Sequence, residues 1–159
     1  MNNMSDFVIE DGSILTKYVG VEQNVVIPEG ITIIDYQAFN PFVRPEFDDI
    51  DFDVDNKFTL LSVKLPSTLQ IINSNAFEAC DCLKEIVVPK SVESIEADAF
   101  LDCCSLEKIV ILNADCDIDS NGAFEGCPDE LIVYSVDTGK EISSVEQYAL
   151  DNHIRFRPL

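Results

Sequence analysis

A spacing constrains this chain more than its composition does. Leu60-Leu-Ser-Val-Lys-Leu-Pro66, Leu83-Lys-Glu-Ile-Val-Val-Pro89 and Leu106-Glu-Lys-Ile-Val-Ile-Leu112 align, each with aliphatic residues at its first, fourth and sixth positions. Ala76-Phe77, Ala99-Phe100 and Ala123-Phe124 follow in turn, and the interval from Pro66 to Phe77 equals that from Pro89 to Phe100. Three residues past each Phe stands a cysteine, Cys80, Cys103 or Cys127. Cys80 to Cys103 is one period of 23, and Cys103 to Cys127 is one residue longer. That additional residue falls in the Cys116–Ser120 region. An earlier copy runs through Val25-Val26-Ile27-Pro28 to Ala38-Phe39, with the same interval from Pro to Phe, and a last partial copy is Leu131-Ile-Val-Tyr134. The step from Pro28 to Pro66 exceeds the period of 23 by an insertion of 15, which lies between Asn40 and Lys57.

One such unit cannot bury its own apolar edge, whereas stacked units bury it against each other and build a continuous core. Alternating aliphatics predict a short strand. The proline after it cannot donate to a ladder and ends the strand. The Ala-Phe pair then turns the chain and fills the interior. Phe39, Phe77, Phe100, Phe124, Cys80, Cys103 and Cys127 are therefore expected to be structural core. Three of the six cysteines occupy one repeated position, which predicts free, buried thiols. A zinc site is disfavoured because Cys80-Asp-Cys82 and Cys103-Cys104 lack the usual ligand spacing and His153 is the single histidine.

Units of the form L-x-x-I-x-[IVL]-P-x-x-[VL]-x-x-I-x-x-x-A-F-x-x-C resemble the BspA-type leucine-rich repeat, over roughly residues 7–159. The resemblance implies a leucine-rich repeat solenoid, a right-handed, β-rich α/β superhelix. Short parallel strands would alternate with short helical or irregular convex segments. Phe7 to Tyr18, with its Asp11-Gly12 turn, is similar to the hairpin that opens such arrays. Val145 to Phe156 is similar to the closing segment, a short helix, a turn at Asn152 and a last strand. The expected organisation is one domain over residues 1–159. It has an N-terminal cap at 1–24, repeats at 25–128 with the insertion at 40–57, and a last strand with the C-terminal cap at 129–159. The resemblance implies a non-catalytic protein–protein interaction module, often at a cell surface.

Composition narrows the partners. Thirty Asp and Glu against ten Lys and Arg leave a formal charge of −20. Such a chain is not built to neutralise phosphates or to adhere to anionic lipid, so nucleic acid and membrane insertion are excluded as expectations. The same arithmetic predicts a basic protein partner and salt-sensitive association. Apolar residues are 47% of the chain, too many for a disordered polyanion. No basic region followed by an apolar run opens the sequence, which predicts a cytoplasmic location. The resemblance allows a cell-surface location if a leader was trimmed.

Candidate sites follow from the strand pattern. Residues between the buried aliphatics point outward, and Val26, Lys64, Val87, Val110 and Ile132 are read as one row on the concave face, the expected binding surface. Flanking rows are Leu61, Lys84, Glu107 and Asp129, then Ser62, Glu85, Lys108 and Glu130. Asp117-x-Asp119-x-Asn121-Gly122 matches the first half of an EF-hand calcium loop, but Pro128 stands where the closing Glu belongs. Glu46 to Asp55 carries six carboxylates, with Asp49 to Asp55 in strict alternation, a solvated strand face or a cation site. The alternative function is thus a calcium-dependent or glycan-binding surface adhesin. No resident cofactor is expected, and no catalytic residues, since the six glycines form no phosphate loop and no base–nucleophile pair is marked.

Overall fold

A computed structural model describes residues 3–41, 59–139 and 142–159. The expected insertion strand and its acidic run at Glu46–Asp55 lie outside the described residues. The chain winds as a β-solenoid of about five turns with the 23-residue period. Each turn uses the repeat twice. The L-x-x-I-x-V segment supplies β3 (Asn24–Val26), β5 (Ser62–Lys64), β7 (Glu85–Val88), β9 (Lys108–Ile111) and β11 (Ile132–Ser135). The segment around the later fixed-offset isoleucine of each unit supplies two-residue strands, β4 (Ile33–Ile34), β6 (Ile71–Ile72), β8 (Ser94–Ile95) and β10 (Asp117–Ile118). The sequence predicts irregular or briefly helical convex segments. Instead these segments stack into a second sheet, with β4, β6, β8 and β10 parallel in that order. Two residues are too short to show an alternation in sequence. The ladder exists because neighbouring turns repeat the same bonds: Asn73 N–H donates to Ile34 O, Glu96 to Ile72 O and Asp119 to Ile95 O, all at 2.9 Å.

Both ends are capped as the repeat requires. β1 (Phe7–Glu10) and β2 (Ile14–Tyr18) form an antiparallel hairpin, and β2 then pairs in parallel with β4. Asp11 and Gly12 both have positive φ, 49° and 73°, the geometry of a primed hairpin turn. At the other end α1 (Ser144–Asp151) crosses over and β12 (Arg155–Pro158) closes the strand sheet on β11. Ser143 caps the helix by accepting from Glu146 N–H at 3.1 Å.

The array is continuous across the insertion. Asn24 pairs with Ser62 and Ile33 with Ile71, and the Glu29 carboxylate accepts from Ser67 N–H and Oγ–H, each pair bridging the same stretch of chain. Those hydrogen bonds to Ser67 hold the exposed Glu29 carboxyl below its ordinary value.

The interior is an aromatic stack. Ring centroids are 5.0 Å apart for Phe39–Phe77, 5.2 Å for Phe77–Phe100 and 5.4 Å for Phe100–Phe124, with interplanar angles of 11°, 4° and 17°. The stack extends into both caps through Tyr18 and Phe7 at one end and Tyr148 at the other. Backbone bonds carry the same periodicity: Tyr18 N–H donates to Ala38 O, Phe39 to Ala76 O, Phe77 to Ala99 O and Phe100 to Ala123 O.

The repeated cysteines do more than fill space. Each thiol donates to the carbonyl of the preceding turn's Phe: Cys80 Sγ to Phe39 O at 3.5 Å, Cys103 to Phe77 O at 3.2 Å and Cys127 to Phe100 O at 3.4 Å. All six cysteines are free. Burial, the largest cause, raises the Cys103 thiol far above its ordinary value and pushes Cys116 and Cys127 up to about 12. These groups stay protonated at neutral pH, and the thiolate is the reactive form. Cys127 is half-buried, not enclosed as the repeat predicts, because it lies near the end of the array. Titration of native protein with a thiol reagent at pH 8 should modify exposed Cys104 first, with buried Cys80, Cys103 and Cys116 reacting only on unfolding. Rapid reaction of those three in native protein would contradict the packing.

Candidate functional site

The strand-sheet positions between buried aliphatics do face outward, and the pairing register assigns them to rows. Val26 pairs with Lys64, Val87 with Val110, Val110 with Tyr134 and Tyr134 with Arg157. Val26 and Val87 are 54% and 51% exposed and Lys64 is exposed. Two expected members need correction. Val110 is buried, 7% exposed, between Val87 and Tyr134 in register. Ile132 belongs to the neighbouring row, which runs Glu85–Lys108–Ile132–Arg155. Its place in the first row is taken by Tyr134, and Asp129 and Glu130 likewise precede the last strand. The reason is physical. A slip of two residues preserves the in–out alternation of a strand, so hydrophobic pattern alone does not reject it. The offset between Val110 and Tyr134 is the lengthened one already present between Phe100 and Phe124.

The strand face is also not one sheet. β7, β9, β11 and β12 form a four-stranded ladder, whereas β3 and β5 pair separately. At the interruption lies a groove of about 330 Å³, lined by Val63, Lys64, Leu65, Ile86, Val87 and Leu112 among others. It combines an exposed apolar side chain with a cation at two of the expected row positions. No sequence signal marks it, since β5 and β7 carry the same motif.

The Asp117–Asn121 segment has a structural assignment. Asp117 lies in β10, paired with Ser94, and is exposed. Asp119 Oδ1 accepts from Asn121 N–H at 2.7 Å and from Asn121 Nδ2–H at 2.9 Å. This side-chain turn absorbs the extra residue of the last interval. The positive-φ position before Ala-Phe moves from Asp98 to Gly122, one place beyond the period, while β8 and β10 still pair exactly one period apart. Among the described residues no three His, Cys, Asp or Glu side chains are grouped to hold a metal ion.

A second cavity, about 590 Å³, opens at the C-terminal cap between Asn121, Phe124, Leu131, Tyr148 and His153. Burial pushes the Tyr148 phenol up to about 12, so it stays protonated and serves as the last ring of the stack. His153 is exposed at φ 58°, a turn residue between α1 and β12. No helix among the described residues is long and apolar enough to cross a membrane.

Comparison with known proteins agrees with this geometry. The family described as BspA type leucine rich repeat region matches residues 49–157 in six copies. The crystal structure of a leucine rich cell surface protein from Faecalibacterium prausnitzii superposes with a TM-score of 0.52 at 20% identity. The alignment covers 82% of this chain and 38% of that one, so this chain spans well under half of its length. A search of curated proteins finds no match. Repeat, solenoid and family match converge: this chain belongs to the BspA-type leucine-rich repeat family.

Proposed function

We propose that this chain is a non-catalytic protein–protein interaction module that binds through the outer face of its strand sheet. The observation that carries the reading is the pair of half-exposed valines, Val87 in the groove where the strand ladder is interrupted and Val26 on β3, next to the groove's Lys64 in register. Within the strands of this face they are the two aliphatic side chains more than half exposed, so they remain as apolar area open to a partner. Removing such area from water stabilises a complex by about 25 cal/mol per Å² before association entropy is subtracted.

The resembling protein is described as a cell surface protein. Extracellular proteins therefore belong among the partners to be screened.

The test compares the natural chain with a Val26→Asp, Val87→Asp double variant as bait in affinity capture. Both side chains are exposed, so the melting temperature should change little, as expected for surface substitutions. A partner held by the natural chain and lost from the folded variant supports the reading. Equal retention of every partner by both baits overturns it.

A further inference from the structure

The strand face has a charge opposite to that of the molecule. On the four-stranded ladder the outward positions are Glu85, Val87, Lys108, Val110, Ile132, Tyr134, Arg155 and Arg157. They carry three cations and one anion in a chain with a net charge of −20. Lys108 Nζ is 3.5 Å from Glu85 and 5.8 Å from the Tyr134 ring centre, so that cation is shared between a carboxylate and an aromatic face. Arg155 and Arg157 are exposed, and among the described residues neither has a carboxylate partner. Thirty carboxylates were available in this sequence to pair two arginines. Leaving both open on one face of the outermost strand preserves their guanidinium forks for another molecule.

We infer that the C-terminal end of the strand face, Lys108, Tyr134, Arg155 and Arg157, is a docking patch for an extended acidic segment of a partner protein. This deepens the strand-face reading and rests on it. Spacing selects the ligand. Arg155 and Arg157 are two residues apart on one strand, about 6.5–7 Å at the usual rise. Carboxylates at alternate positions of an extended polypeptide repeat at the same distance. A guanidinium binds a carboxylate through two parallel hydrogen bonds, which favours this match over a diffuse point-charge attraction. Ile132 and Tyr134 lie between the cations and offer apolar contact to the stems of the acidic side chains that face the patch. Nucleic acid fits poorly, because the carboxylates over the rest of the surface repel a long polyanion. At 0.15 M salt screening falls to about 8 Å, so a short segment on the patch meets mainly the local cations. Total charge by itself predicts a basic partner. The distribution of charge on this face assigns it the opposite chemistry.

The test is a fluorescence titration of the whole chain with a labelled peptide alternating aspartate and valine over seven residues, at 0.15 M salt. The Asp peptide should bind, and its counterpart with Asn in place of Asp should bind about tenfold more weakly or not at all. The Arg155→Glu, Arg157→Glu variant should lose about tenfold or more in affinity with an unchanged melting temperature, and Arg155→Gln, Arg157→Gln should show the same direction. No binding by the natural chain, unchanged affinity in both variants, or preference for a sulfated oligosaccharide over the peptide would overturn the inference. Sedimentation showing that the arginines instead join two copies of this chain would also overturn it. Partner capture lost in the Val26→Asp, Val87→Asp variant but kept in the arginine variants would sink the acidic-segment inference and leave the strand-face reading standing.

Discussion

Phe100→Ala is expected to lower stability by about 3–5 kcal/mol, because a large cavity is added to the lost transfer energy. The side chain is fully buried and stacks on two rings, Phe77 at 5.2 Å and Phe124 at 5.4 Å. The turn around it also carries the ladder, through Phe100 N–H to Ala123 O and Cys127 Sγ to Phe100 O. Alanine keeps both backbone partners, so the loss reports packing and not hydrogen bonding. For a chain of this size the melting midpoint should fall by roughly 6–20 °C. Phe124→Ala should cost less. Its ring is 6% exposed and meets Tyr148 edge-on at 5.9 Å, so it lies nearer the end of the stack. Thermal unfolding of the two variants checks the order, and equal losses would argue against a stack whose interior rings carry more than its ends.

Gly126→Ala should be the next most damaging change, at about 2–3 kcal/mol, by strain added to steric overlap. Gly126 has φ 74°, and a Cβ there would overlap the Asp102 carboxylate and lie 3.1 Å from the Asp102 Cα. Conformation alone does not require glycine, since the equivalent residues of earlier turns, Ala79 and Asp102, adopt φ 57° and 56°. What differs is the close approach of the neighbouring turn. Gly30→Ala separates the two effects: φ is 98° but nothing lies within 4 Å of the added Cβ. It should cost only about 1 kcal/mol, the penalty of a left-handed residue. Chemical denaturation of both variants gives the difference directly, and similar losses would show that backbone strain alone decides both.

Most of the fold is legible because a solenoid writes its core periodically. Leu69, Ile72, Val92 and Ile95 recur at fixed offsets from Phe77 and Phe100, and all are buried. Tyr18 and Tyr148 are not marked in the sequence as members of the aromatic stack. Neither belongs to an Ala-Phe pair, and their places are revealed by contacts in the fold: the Tyr18 ring on Phe39 with its N–H donating to Ala38 O, and the Tyr148 ring against Phe124. The outward face of the strand sheet is legible in part. Alternation predicts which residues point outward, yet it leaves Ile132 in Tyr134's row and leaves Val110 exposed.

The sequence by itself determined the period, the buried Phe and Cys positions, the two caps and the family. Each of these is repeated or bounded by a local signal, and burial of an apolar residue at a fixed offset needs no knowledge of its neighbours. Only the tertiary structure decided the row membership at the last strand, the break between β5 and β7, the turn that occupies Asp119 and Asn121, and the cluster of Lys108, Tyr134, Arg155 and Arg157. Those features depend on which strand lies beside which, and at what register. Side chains a full turn or two apart in the chain, Lys108 with Ile132 and then with Arg155, become neighbours only through parallel pairing. Total charge, a sum over the chain, carries no information about that placement.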